Sequence, residues 1–343
     1  MSLSSIRNTN SQTLHYRVEL FNPNAHQYRV TLTVPQPVAQ QCFSLPAWIP
    51  GSYLIRDFAR NIVQIEAHTA GSEMKISQLD KHRWQAGNET GSELVIECLI
   101  YAFDTSVRSA FLDGLRGFFN GTSLFLQVAG TEQSPCELEL VKPMGPLADW
   151  QVATGLPSVT TDNQGFGLYR AENYEQLIDC PFEMGGADSE FERIEFVAAG
   201  IPHSIVLNGR HNVDATRLAA DLKIVCEQQI SLFGDKPPFD DYVFLTQVTT
   251  GSYGGLEHMN STALVCGRGD LPLPGDSQMT DEYRQFLGLC SHEYFHCWNV
   301  KRIRPKAFAE GGLQEEVYSG LLWAFEGITS YYDDLITFKS KYF

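Results

Sequence analysis

Residues 292–296 read His292-Glu293-Tyr294-Phe295-His296, and the organisation of the chain can be worked outward from them. Side chains four residues apart on a helix project from one face, so His292 and His296 present two imidazoles to a single divalent cation. Glu293 lies beside them, placed to take a proton from an activated water rather than to ligate the metal. The helix also has a start signal. Thr280 offers an N-cap hydroxyl, and Asp281 and Glu282 place negative charge in the first turn, where the helix dipole favours it.

A catalytic zinc takes three protein ligands and keeps a position open. The segment 320–334 offers the third. Leu321, Phe325, Ile328, Tyr332 and Leu335 recur at helical spacing and predict a buried stripe. Glu326 is embedded in that apolar helix, and a buried carboxylate needs a partner because an unpaired charge there is costly. The partner is either a metal or a basic side chain such as Arg302 or Arg304. Seven residues on, Asp333 returns to nearly the same side. There it accepts the second ring N–H of a ligating histidine, or it forms a solvated pair with Asp334.

Upstream of the motif the period changes. Residues 14–20 and 28–34 alternate apolar and polar across an Asn22-Pro-Asn24 turn, and 94–101, 124–128 and 137–141 are further strand candidates. These predict an α+β chain whose residues 1–185 form an antiparallel sandwich or saddle-shaped sheet domain, closing at Cys180-Pro-Phe-Glu-Met-Gly-Gly-Ala187. Residues 186–343 then carry strands near 194–198 and 204–208. A helix follows, capped by Asp214, apolar along Leu218, Leu222 and Val225, and ended by Gly234. A strand at 242–248 and the motif helix come next.

Three stretches together resemble the M61 glycyl aminopeptidase family, one of the gluzincin zinc peptidases. They are 292–305 followed by Trp323–Tyr332, the Leu45-Pro-Ala-Trp-Ile-Pro-Gly-Ser-Tyr53 run through Arg60, and Gly254-Gly255-Leu256-Glu257-His258. The resemblance covers nearly the whole chain and implies a β domain followed by a thermolysin-like catalytic domain. It makes His292, His296 and Glu326 zinc ligands, Glu293 the general base, and Asp333 the acid behind a ligand. It implies an aminopeptidase that removes small N-terminal residues such as glycine or alanine, with Glu257 holding the substrate's free amino group. Gly254 and Gly255 would let a peptide approach and pair along a sheet edge. An endopeptidase of the same chemistry, or a zinc-holding module without turnover, remains open. Family members continue well beyond position 343, so the resemblance implies that the rest of the helical half, its oxyanion-stabilising residue and any PDZ domain lie outside this chain. The Trp48–Tyr53 turn with Arg56 and Asp57 reads as structural.

Composition narrows the partners. The 343 residues carry 25 basic and 41 acidic side chains, a formal charge of −16, which argues against nucleic-acid and anionic-membrane surfaces; the peptide substrate is what the resemblance implies. No apolar run reaches membrane-spanning length, and residues 1–10 lack a signal peptide's apolar stretch. The eight scattered cysteines, with no Cys-x-x-Cys pair, read as reduced side chains of a cytoplasmic protein.

Overall fold

The computed structural model describes residues 12–49, 51–70, 72–87, 91–234 and 236–340; residues 1–10 and Pro50, both considered above, lie outside them. The alternating strands bury their apolar faces as the period of two requires. Tyr16 and Val18, then Tyr28, Val30, Leu32 and Val34, and Leu94, Ile96, Cys98 and Ile100 all point inward. They belong to an eight-stranded sheet in which Leu14–Asn22 pairs antiparallel with Gln27–Val34 and parallel with Cys136–Leu140. Two four-stranded sheets complete this β-rich part. One is centred on Gln40–Ser44 and Arg83–Gly87, the other on Arg116–Phe119 and Phe182–Gly185. The chain is thus mixed α+β, with its β layers first.

At 124–128 only Gln127–Val128 is a strand; Leu124–Leu126 complete a tight turn capped by Asn120, whose Oδ1 accepts from Thr122 N at 3.2 Å. Leu124 N and Phe125 N both donate back to the Gly121 carbonyl, which keeps the chain turned there, and Gly121 sits so close to Leu177 and Ile178 that a Cβ on it would meet Ile178 Cα at 2.7 Å.

The second part is a five-stranded sheet, in spatial order Glu192–Ala198, Ile201–Asn208, Tyr242–Thr249, Ser261–Gly267 and Gly254–Glu257. Its three middle strands run parallel and are buried almost throughout, as strands covered on both faces are. Helix Ala215–Phe233 begins on Asp214, whose carboxylate accepts from Arg217 N, and stops at Gly234 in the left-handed region (φ +72°). The motif helix Asp281–Phe295 begins on Thr280, whose hydroxyl accepts from Tyr283 N. Leu218, Leu222 and Val225 pack with Phe286, Leu287, Cys290 and Tyr294 in one core. Leu256, Ala263 and Val265 turn the other way and join the core of the β-rich part, so apolar packing is continuous between the two. Among the described residues no helix is long and apolar enough to cross a membrane.

The expected stripe on the last helix needs correction. Phe325 and Ile336 are buried, but Leu321 and Ile328 are exposed, and Thr329 takes an inward position instead. The cause is a π-turn at Trp323–Gly327. It adds a residue to one turn and rotates the rest of the helix, so the inward face is set by Phe325, Glu326, Thr329 and Asp333 rather than by the apolar spacing.

Candidate metal and catalytic site

Each imidazole of the motif is aimed through its Nδ1. His292 Nδ1 lies 2.7 Å from Asp333 Oδ2, on helix Ile328–Lys339. His296 ends the motif helix, and the chain then enters a π-turn over Cys297–Arg302 in which Asn299 leaves helical geometry (φ −113°, ψ 66°). That departure turns the Asn299 carbonyl back to His296 Nδ1 at 2.9 Å. The Asn299 amide donates to Ala324 O at 3.0 Å and to Thr329 Oγ1 at 3.2 Å, tying the motif helix to the segment that carries Glu326.

A carbonyl oxygen only accepts, so His296 carries its proton on Nδ1; the Asp333 carboxylate selects the same tautomer of His292. Both Nε2 lone pairs are then free and face each other at 3.1 Å. Glu326 Oε2 lies 3.4 Å from one and 3.7 Å from the other. Three acceptors converge with no proton among them, an arrangement that a cation resolves. Tetrahedral zinc with ligand bonds of about 2.0–2.1 Å sets its ligand atoms roughly 3.3 Å apart, and the three observed separations bracket that value. In the absence of a cation a proton takes its place. Burial opposes a charged His292, yet the Asp333 and Glu326 hydrogen bonds push it up to about 10. Burial likewise works against ionised Glu326, and the two histidines with Tyr53 hold it at about 2. Among the described residues Glu326 has no arginine partner: Arg304 pairs with Glu175, and Arg302 reaches the Lys236 carbonyl.

Glu293 is 5% exposed, and among the described residues its Oε2 has no hydrogen-bond partner. Burial, then the neighbouring Glu257 carboxylate, push it up to about 8. Glu293 fits only because Gly255 on the facing edge strand has no side chain, since a Cβ there would meet Glu293 Oε1 at 2.3 Å. Gly254–Glu257 is an edge strand, hydrogen-bonded on one side to Ser261–Gly267. On its other side Arg108 Nη2, from the β-rich part, donates to Gly255 O at 3.2 Å.

Glu257 is as buried as Glu293, and its Oε1 also lacks a partner among the described residues. Gly51 stands against it; a Cβ at Gly51 would meet Oε1 at 2.2 Å. Nearby, Lys301 Nζ donates to Asp179 at 2.6 Å, and His258 Nδ1 lies 3.1 Å from the same carboxylate oxygen. Glu257, Glu293 and His296 converge as a second acid-rich group. The set with His292, His296 and Glu326 is the better metal cradle, because hydrogen bonds have already fixed both of its histidine tautomers. The second set brings two buried carboxylates together, each with an oxygen that lacks a hydrogen-bond partner among the described residues. Beside Glu257 a cavity of about 300 Å³ runs between the two parts, lined by Ile49, Leu256, Glu257, Lys301, Phe308 and Leu313.

Residues 15–186 match the model of the Peptidase M61 N-terminal domain, and residues 285–343 match that of the M61 glycyl aminopeptidase. The chain belongs to the M61 peptidase family. A crystal structure of an aminopeptidase N family protein from Idiomarina loihiensis is 45% identical and superposes with a TM-score of 0.92. The match covers 95% of this chain and 55% of that one, so the chain spans about half the length of this relative. Two crystal structures of an M1 zinc metallopeptidase from Deinococcus radiodurans, 11% and 12% identical with TM-scores of 0.54 and 0.51, share the fold. They cover 96% of this chain and 71% and 70% of their own. A search of the curated proteins finds no match.

In this M61 chain His292, His296, Glu326 and Asp333 meet at one point, with Glu293, Gly255 and Glu257 beside it. Gly254 sits at the start of the edge strand. The Trp48–Tyr53 turn, read above as structural, reaches this point. Tyr53 donates its hydroxyl to Glu326 Oε1 at 2.5 Å, and Gly51 abuts Glu257. Asn299 and Arg108 are further contributors that spacing did not single out. The signal that marked the turn's residues was their place in the Leu45–Arg60 stretch, one of the three that carry the family resemblance.

Proposed function

We propose that this chain is a zinc-dependent peptidase of the aminopeptidase type, acting on small N-terminal residues such as glycine or alanine. The observation that carries it is the convergence of two Nε2 lone pairs and Glu326 Oε2 beside an unpartnered, buried Glu293. His292, His296 and Glu326 would hold the zinc, which when bound would supply Lewis acidity to a water and to the scissile carbonyl. Glu293 accepts the water's proton at Oε2 and passes it to the leaving nitrogen; a carboxylate tuned upward toward neutrality suits both transfers. Asp333 and Asn299 keep the two rings aimed throughout. Glu257, buried and with one oxygen lacking a partner among the described residues, holds the substrate's α-ammonium, and the side of the edge strand turned away from Ser261–Gly267, beside Arg108, receives the peptide backbone. The net charge of −16 favours a cationic amino end over nucleic acid, and the free, mostly buried cysteines support a cytoplasmic location. Organisation into residues 1–185 and 186–343 as two domains belongs to the same proposal.

The test is zinc-loaded protein offered glycyl and alanyl peptides with free and acetylated N-termini. Cleavage of the free peptides alone, abolished by Glu293→Gln with zinc retained, is the expected result. Equal cleavage of acetylated peptides would remove Glu257 from its role and leave an endopeptidase. Zinc and peptide binding unaffected by Glu293→Gln, with no turnover in either protein, would leave a binding module.

A further inference from the structure

The turn that carries Tyr53 is a fixed spur. Arg56 N donates to Ala47 O at 2.7 Å and closes its base; Arg56 Nε donates to Ser52 Oγ at 2.6 Å, and Ser52 N to Ile49 O at 3.2 Å. Ala47 N and Trp48 N both donate to Leu313 O, at 2.7 and 3.0 Å, so the spur is docked on a segment of the second part. Trp48 meets Phe308 edge-to-face with ring centroids 5.7 Å apart, and Tyr53 lies 6.4 Å from the same ring. At the tip Tyr53 takes φ +54°, a backbone region that is costly for a bulky side chain and persists only where the surroundings dictate it.

The tip does one thing that packing alone does not require: the half-buried phenol donates its single proton to Glu326 Oε1 at 2.5 Å, leaving Oε2 toward the imidazoles. We propose that Tyr53 is a positioning residue of the metal centre, supplied by the β-rich part. By engaging Oε1 it presents one oxygen of Glu326 as a ligand and prevents the carboxylate from turning both oxygens to the metal. A monodentate carboxylate preserves the open coordination position that hydrolysis needs. Through this bond the metal and the docked spur stabilise each other, since linkage between two binding events is reciprocal.

The inference rests on the three-ligand reading given above, and one experiment separates the two. Zinc affinity is measured by chelator competition for wild type, Tyr53→Phe, Glu326→Ala and the double variant. Visible spectra of the cobalt-substituted forms are recorded alongside, because these report coordination number. Tyr53→Phe should bind zinc roughly 10- to 100-fold more weakly, the range for losing a partner behind a ligand. Its cobalt spectrum should weaken as the freed carboxylate becomes bidentate. In the Glu326→Ala background Tyr53→Phe should change neither readout, a comparison that stays valid even where the apo protein is destabilised. Wild-type affinity with an unaltered cobalt spectrum in Tyr53→Phe overturns the proposal while leaving the ligand set intact. An equal loss in both backgrounds also overturns it, because Tyr53 would then act through something other than Glu326. A wild type that binds no zinc, or a Glu326→Ala variant that keeps full affinity, overturns the ligand set and the proposal with it.

Discussion

Gly255→Ala adds a single methyl group and should disable the general base while sparing the metal. The new Cβ would stand 2.3 Å from Glu293 Oε1, 2.6 Å from Cδ and 2.7 Å from Cγ. Against a normal separation of about 3.5 Å, the first of these is short by about 1.2 Å. Gly255 lies outside the left-handed region, so its backbone accepts alanine without strain and the conflict is purely between side chains. The strand is hydrogen-bonded in register to Ser261–Gly267 and the motif helix is buried against it, so the carboxylate is the part that moves. A displacement of about 1 Å in a reacting group costs on the order of 100-fold in rate, or about 2.7 kcal/mol. The assay is release of glycine from a free-amine peptide by zinc-loaded enzyme, with zinc affinity measured on the same samples. Expected is a kcat reduced about 100-fold with zinc affinity unchanged within about threefold, because Glu293 is not a ligand. A kcat within about threefold of wild type would refute the placement of Glu293 against this glycine. Loss of zinc in parallel with rate would show the methyl group acting on the ligands instead.

The metal-free chain should lose stability as pH rises. Glu293 sits at about 8 in the fold against an ordinary 4.5, so the folded state holds a proton that the unfolded state releases, and stability falls between those values. His292, at about 10 against 6.5, contributes stability that is full below 6.5 and lost as pH rises through 10. Urea melts of zinc-free protein from about pH 5 to about pH 9 should show the decline, and Glu293→Gln should flatten its lower portion; a rise with pH would contradict both assignments. Elsewhere, Arg116 donates two 2.7 Å hydrogen bonds to Glu183, whose Oε1 also accepts from Asn208 at 2.6 Å, all within the interior. Arg116→Ala strands that carboxylate and should cost about 3–5 kcal/mol in urea unfolding; a loss below about 1 kcal/mol would refute the view of it as an obligatory partner. Seven of the eight free cysteines are buried, with Cys42 the one partly accessible, and burial pushes Cys98, Cys136 and Cys266 up to about 12. Ellman's reagent should therefore titrate one thiol rapidly in the native protein and the others only on unfolding; several fast thiols would contradict the core packing.

The features legible in the sequence are those that helix and strand periods impose locally. Two histidines four residues apart share a helix face whatever surrounds them, and Glu326 and Asp333, seven apart, return to a common side. Thr280, Asp214 and Gly234 act on backbone groups within a few residues of themselves, so caps and ends could be read directly. Even here a local device intervened: the π-turn at Trp323–Gly327 displaced the apolar stripe while keeping the two acids inward.

What the tertiary structure decided lies between residues far apart in the chain, where no period operates. Tyr53 and Glu326 are 273 positions apart, and their hydrogen bond exists because the spur docks on the Leu313 carbonyl. Asn299 orients His296 through a carbonyl that only a break in the helix turns inward. The glycines make the contrast plain. In the sequence Gly255 reads as room for a substrate's backbone, and in the fold that room holds the Glu293 carboxylate. A missing side chain signals that something comes close; which group comes close depends on how the edge strand, the motif helix and the β-rich part pack together.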